Sequence, residues 1–117
     1  MLVVDDEALA TVVADALEHV DERLRTAWTT DQQRALAELR QGGVDCLVTD
    51  YEMPERNGLE LVAADSSDTP FILFTQRRDG ALEQHTRDRG GTYFPKQVGT
   101  DQYRELAALV HEQAANC

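Results

Sequence analysis

Lysine is almost missing from this chain: of the eleven basic residues among 117, ten are arginine and only Lys96 is lysine. Positive charge of either kind is scarce, since Asp and Glu number 22 and the formal charge is −11. A surface of that sign excludes a nucleic-acid backbone as direct partner, because such binding comes from Lys and Arg neutralising phosphates. It excludes an anionic membrane surface for the same reason. Long apolar runs are missing too, and no stretch approaches the ~20 residues needed to cross a bilayer. The opening Met1-Leu2-Val3-Val4-Asp5-Asp6-Glu7 has the pattern of neither a signal peptide nor a transit peptide. Only two cysteines occur, Cys46 inside an apolar run and Cys117 at the last position. They form no disulfide framework, so a reducing cytoplasm is the expected compartment.

What is present suits one globular domain. Hydrophobic residues make up 42%, too many for a disordered chain, and the length allows a single core. Five short apolar runs alternate with helical patterns: Leu2 to Val4, Leu24 to Trp28, Val44 to Thr49, Phe71 to Thr75 and Thr92 to Phe94. They are rich in β-branched, aromatic and leucine residues, as buried parallel strands are. Between them, Leu9, Val12, Val13, Ala16, Leu17 and Val20 fall on one helical face. Thr30 can cap a second helix that closes at Gly42-Gly43. Gly58 to Ala64 gives a third, and Ala81 to Arg89, stopped by Gly90-Gly91, a fourth. Tyr103, Leu106, Ala107 and Val110 line a fifth, capped by Thr100 or Asp101. Strands alternating with helices imply βαβ units and a parallel sheet with helices on both faces.

In such a sheet ligands bind outside the carboxyl ends of the strands. The residues expected there are Asp5-Asp6-Glu7, Asp50 with Tyr51-Glu52-Met53-Pro54 and Gly58, Thr75, and Lys96. Each has an ordinary reading by itself. An acidic run after a strand suits the first turn of a helix, and Met53-Pro54 suits a turn. The three carboxylates, one hydroxyl and one ammonium among them make an oxygen-rich cluster free of sulfur and imidazole. Gathered carboxylates repel one another unless a cation intervenes, and this donor set suits a hard one, Mg²⁺ or Mn²⁺. Lys96 would be a point charge for a phosphate and Thr75 a hydroxyl donor. An Asp carboxylate can itself accept a phosphoryl group.

At these residues the chain resembles the receiver domain of two-component response regulators. Val3-Val4-Asp5-Asp6-Glu7 is similar to that family's first-strand acidic pair, and Asp50 to Gly58 to its D-x-x-M-P-x-x-x-G segment. Phe71 to Thr75 matches the fourth strand with its switch hydroxyl, and Tyr93-Phe94-Pro95-Lys96 the fifth with its aromatic and lysine. The resemblance implies a flavodoxin-like, doubly wound (βα)5 fold of the α/β class, strand order 2-1-3-4-5, in a single domain over residues 1–117. It implies Asp50 as phosphoacceptor, with Asp5, Asp6, Asp50 and the Glu52 backbone carbonyl as Mg²⁺ or Mn²⁺ ligands. Lys96 would pair with the phosphoryl oxygens, while Thr75 and Tyr93 would act as the switch. The implied partners are a histidine kinase or phosphotransfer protein and a downstream output domain or target. The readout surface, also open to a homodimer contact, would be the fourth helix, fifth strand and fifth helix. Such a domain is a switch rather than an enzyme, beyond promoting its own phosphorylation and dephosphorylation.

The chain departs from the family pattern in four places. The third helix looks clipped, with 17 positions from Gly58 to Thr75, and the first strand begins at the very start of the sequence. Two single residues also differ. Gln97 stands where a proline usually follows the lysine, which disfavours a cis bond, since non-proline cis costs ~3 kcal/mol. Gln76 follows Thr75 where a small residue is usual and is expected to narrow access to Asp50. Two other function classes are weaker fits. A phosphorylation-independent pseudo-receiver would typically have lost an acidic ligand or the lysine. A metal-dependent phosphatase with an Asp nucleophile needs a second Asp two residues on, where Glu52 stands. The acidic coat with Arg in place of Lys resembles proteins adapted to high salt, so a halophilic, archaeal-type origin is expected.

Overall fold

The structure, a computed structural model, describes residues 2–4, 7–22, 24–53, 56–65, 69–97, 99 and 101–115. The acidic residues Asp5 and Asp6, together with Pro54 and the helix-cap candidate Thr100, lie outside the described residues. The chain alternates strand and helix throughout: β1 (Leu2–Val4), α1 (Glu7–Val20), β2 (Ala27–Thr29), α2 (Gln32–Gln41), β3 (Leu47–Thr49), α3 (Gly58–Ala64), β4 (Phe71–Thr75), α4 (Gly80–Asp88), β5 (Thr92–Pro95) and α5 (Gln102–Ala115). The strands form one parallel sheet in the order β2-β1-β3-β4-β5. This is the flavodoxin-like (βα)5 arrangement expected from the sequence.

The period-two alternation of strand side chains divides the core. Val3, Val48, Ile72, Phe74 and Phe94 point to one side and meet α1 and α5 through Leu17, Leu106 and Val110. Leu2, Val4, Leu47, Phe71 and Leu73 point to the other and meet α2, α3 and α4 through Leu39, Leu61 and Leu82. Because both faces are covered, the strands are continuous apolar runs rather than alternating ones.

Three expectations are corrected. The inward face of α1 is Ala10, Val13, Ala14 and Leu17, whereas Val12 and Val20 are 53% and 37% exposed. Two small alanines, Ala10 and Ala14, lie against the sheet where the larger Val12 and Val20 do not. The second strand is shorter than Leu24 to Trp28 because α1 takes its first residues. Thr26 donates its N–H to Glu18 Oε2 at 3.0 Å and its hydroxyl to the Ala14 carbonyl at 3.3 Å. That backbone N–H also holds the exposed Glu18 carboxyl below its ordinary pKa. The α2 cap is Asp31, not Thr30: its Oδ1 accepts from Gln33 N–H at 2.9 Å and Arg34 N–H at 3.3 Å. Gly42 (φ 81°) closes that helix in the left-handed region. The third helix spans the expected Gly58–Ala64, started by an Asn57/Glu60 capping box.

Candidate functional site

Parallel pairing brings the carboxyl ends of β3, β4 and β5 to one rim. Asp50 N–H extends the β3 ladder to the Val4 carbonyl at 3.2 Å, and Lys96 N–H extends β5 to the Thr75 carbonyl at 2.7 Å. These rungs bring together three of the sequence-predicted residues. Lys96 Nζ lies 3.3 Å from Asp50 Oδ2, with side chains only 8% and 14% exposed. The ammonium also sits over the Phe74 ring, 5.3 Å from its centroid, an orientation favoured by the ring quadrupole. Asp50 Oδ1 accepts from its neighbours' amides, Tyr51 N–H at 2.6 Å and Glu52 N–H at 3.4 Å. The carboxylate is therefore held on one oxygen by backbone and on the other by a cation.

The loop bearing Asp50 is shaped by a close backbone approach. Gly58 N–H donates to the Tyr51 carbonyl at 2.8 Å. A Cβ on Gly58 would lie 2.3 Å from the Asp50 carbonyl oxygen, so no larger residue fits without moving that loop. Thr49 Oγ1 donates to the same carbonyl at 3.0 Å.

Thr75 is buried, and its hydroxyl accepts from Arg77 N–H at 3.2 Å. The Arg77 carbonyl in turn accepts from the Tyr93 hydroxyl, while the Tyr93 ring packs half-buried against the Leu-rich core cluster. Thr75 and Tyr93 are thus joined through the two backbone groups of one residue. Asp50, Thr75 and Lys96 line a cleft of about 350 Å³ together with Leu9, Glu52, Gln76 and Arg77. Gln76 is exposed.

Sequence reasoning missed Arg77 and Arg78. The Arg77 guanidinium stands 5.4 Å over the Tyr51 ring and pairs loosely with Glu52 at 3.9 Å and Asp79 at 3.7 Å. Arg78 Nη2 donates to the Lys96 carbonyl at 3.2 Å. Their only signal was position, directly after Thr75-Gln76. No group of three metal-ligating side chains occurs among the described residues, and Asp5 and Asp6 lie outside them. What is described fits a hard cation in chemistry: the donors at the rim are oxygens. Cys46 is buried in the core, and His19, His85 and His111 lie on helices α1, α4 and α5.

The model of the response regulator receiver domain matches residues 1–108. The chain belongs to the response regulator receiver domain family. Solved structures agree in fold. A CheY-like receiver domain protein from Methanospirillum hungatei superposes with TM-score 0.79 at 20% identity, over 99% of this chain and 96% of that one. Chemotaxis protein CheY4 of Vibrio cholerae gives 0.76 at 22% identity, over 93% and 95%. The beryllofluoride-activated NtrC4 receiver domain dimer gives 0.78 at 18% identity, over 97% and 96%. No curated protein matches by sequence. This receiver domain has no helix, among the described residues, long and apolar enough to cross a membrane.

Proposed function

We propose that this receiver domain is a phosphorylatable switch of two-component signalling, with Asp50 as acceptor. The observation that carries the reading is the Lys96–Asp50 pair, a nearly enclosed ammonium against a carboxylate that faces an open cleft. The phosphoryl group would come from a phosphohistidine on a kinase or phosphotransfer protein. The donor P–N bond breaks, an Asp50 Oδ–P bond forms, and the imidazole leaves with the electron pair and takes up a proton. Asp5, Asp6, Asp50 and the Glu52 carbonyl would hold Mg²⁺ or Mn²⁺, which neutralises charge on the phosphoryl oxygens.

Lys96 supplies the fixed positive charge of the chain itself, pre-organised before the phosphoryl arrives. Thr75 turns its hydroxyl from accepting the Arg77 N–H to donating to a phosphoryl oxygen. Arg77 then moves, and its carbonyl carries the change to Tyr93. New charge biasing a two-state element is how phosphorylation switches work. The surface of α4, β5 and α5 would be read by an output domain or target protein, or by a second copy of the chain. The protein would act in the cytoplasm, without direct nucleic-acid or membrane contact by this domain. The charge of −11 with a single lysine supports adaptation to high salt.

The test is intact-protein mass spectrometry after incubation with acetyl phosphate and Mg²⁺. One added phosphoryl group is expected on the wild type and none on Asp50→Asn. An unmodified wild type would overturn the proposal and leave a module working by protein contacts alone.

A further inference from the structure

Gln102, the first residue of α5, is a polar side chain only 7% exposed. Burying an amide is unfavourable unless its groups are hydrogen-bonded, and here they are. Its Oε1 accepts from Gln97 N–H at 2.8 Å, while its Nε2 donates to the Gln97 carbonyl at 2.6 Å and the Gly99 carbonyl at 2.7 Å. Both amide hydrogens and one oxygen lone pair are thereby engaged. The glutamine acts as a clamp on the segment between β5 and α5.

That segment begins with Lys96. On its N-terminal side Lys96 is held by its N–H bond to Thr75 and by Pro95, whose ring restricts φ. Its carbonyl is held by Arg78, and both backbone groups of the next residue are held by Gln102. A lysine side chain is long and rich in rotamers, so fixing it is entropically unfavourable. A defined position for its ammonium therefore depends on a backbone that does not wander.

We infer that Gln102 is a positioning residue for Lys96, doing through its side-chain amide what a proline after the lysine would do through its ring. The two devices exclude each other, because a proline at position 97 would have no N–H to give to Gln102 Oε1. The inference rests on reading Lys96 as the phosphoryl partner of the switch.

The test uses the full chain and two variants. Gln102→Glu keeps the shape and an acceptor for Gln97 N–H but loses both donations. Gln102→Met keeps the approximate length and loses all three bonds. Lys96 is the only lysine, so lysine-selective ¹³C labelling yields a single Cε signal that reports its surroundings without any phosphoryl group. Both variants are expected to shift that signal. They are also expected to lower beryllofluoride affinity and the rate of phosphorylation by acetyl phosphate by roughly tenfold to a hundredfold, the scale of a small misplacement in an active site. Mg²⁺ affinity is expected not to fall, since Lys96 is no proposed ligand and its ammonium, 3.3 Å from Asp50 Oδ2, competes with a cation for that carboxylate. An unchanged lysine signal with unchanged beryllofluoride affinity would overturn the inference. So would a parallel fall of Mg²⁺ and beryllofluoride affinities with lowered thermal stability, which marks a general structural role. A wild type that binds no beryllofluoride refutes the switch itself and, with it, the role given to Gln102, even if the lysine signal still shows the clamp.

Discussion

Lys96 Nζ stands 3.3 Å from Asp50 Oδ2 although the two residues are 46 positions apart and come from the ends of strands that are not neighbours. β4 lies between them: its Phe74 ring lies under the ammonium and its Thr75 lines the cleft. In so enclosed a place the attraction is far less screened than between surface charges.

Arginine should therefore not replace this lysine, despite replacing it everywhere else in the chain. A planar guanidinium needs more room and a different set of acceptors than a point ammonium. Lys96→Arg is expected to lower beryllofluoride affinity at least about tenfold, read by fluorescence or NMR titration. Its effect on the denaturation midpoint should be small beside that loss.

Gly58 and Gly91 offer a contrast in the consequences of one added methyl. A Cβ on Gly58 would meet the Asp50 carbonyl at 2.3 Å and Leu73 Cδ1 at 2.8 Å, whereas one on Gly91 would meet the Phe71 ring at 2.2 Å. Each Gly→Ala change is expected to destabilise by about 1–3 kcal/mol through overpacking, measured by urea denaturation. Only Gly58→Ala should also slow phosphorylation by acetyl phosphate, because only there does the strain fall on the loop that carries Asp50.

The inward face of α1 can be tested by two substitutions to serine. Val12→Ser, on the outside, is expected to change stability by no more than about 0.5 kcal/mol. Ala10→Ser puts a hydroxyl where the structure has a fully buried alanine and should cost about 1–3 kcal/mol. The reverse order in denaturation would restore the stripe read from the sequence.

Salt should stabilise this protein. With a net charge of −11, self-repulsion opposes the compact state, and added ions screen it. The melting temperature is expected to climb with KCl from the tenth-molar range into the molar range. Indifference to salt would count against adaptation to high ionic strength.

The sequence by itself determined the alternation of strands and helices, the parallel sheet that follows from it, and the chemical identity of the rim residues. The apolar runs and the Gly42-Gly43 helix end are local signals, and a βα repeat leaves few topologies open. Asp50, Thr75 and Lys96 were legible because each ends a strand or directly follows one, and strand ends in such sheets converge. Only the tertiary structure decided which face of α1 turns inward, since a helix packs by fit as well as by hydrophobicity, and small Ala10 and Ala14 lie inward while Val12 stays outside. It alone revealed Arg77 joining Thr75 to Tyr93, and Gln102 reaching back across the turn to Gln97. Those are hydrogen bonds to backbone groups, and backbone groups are the same at every position but proline. No pattern of side chains can announce which carbonyl a buried amide will meet until the fold has brought the two together.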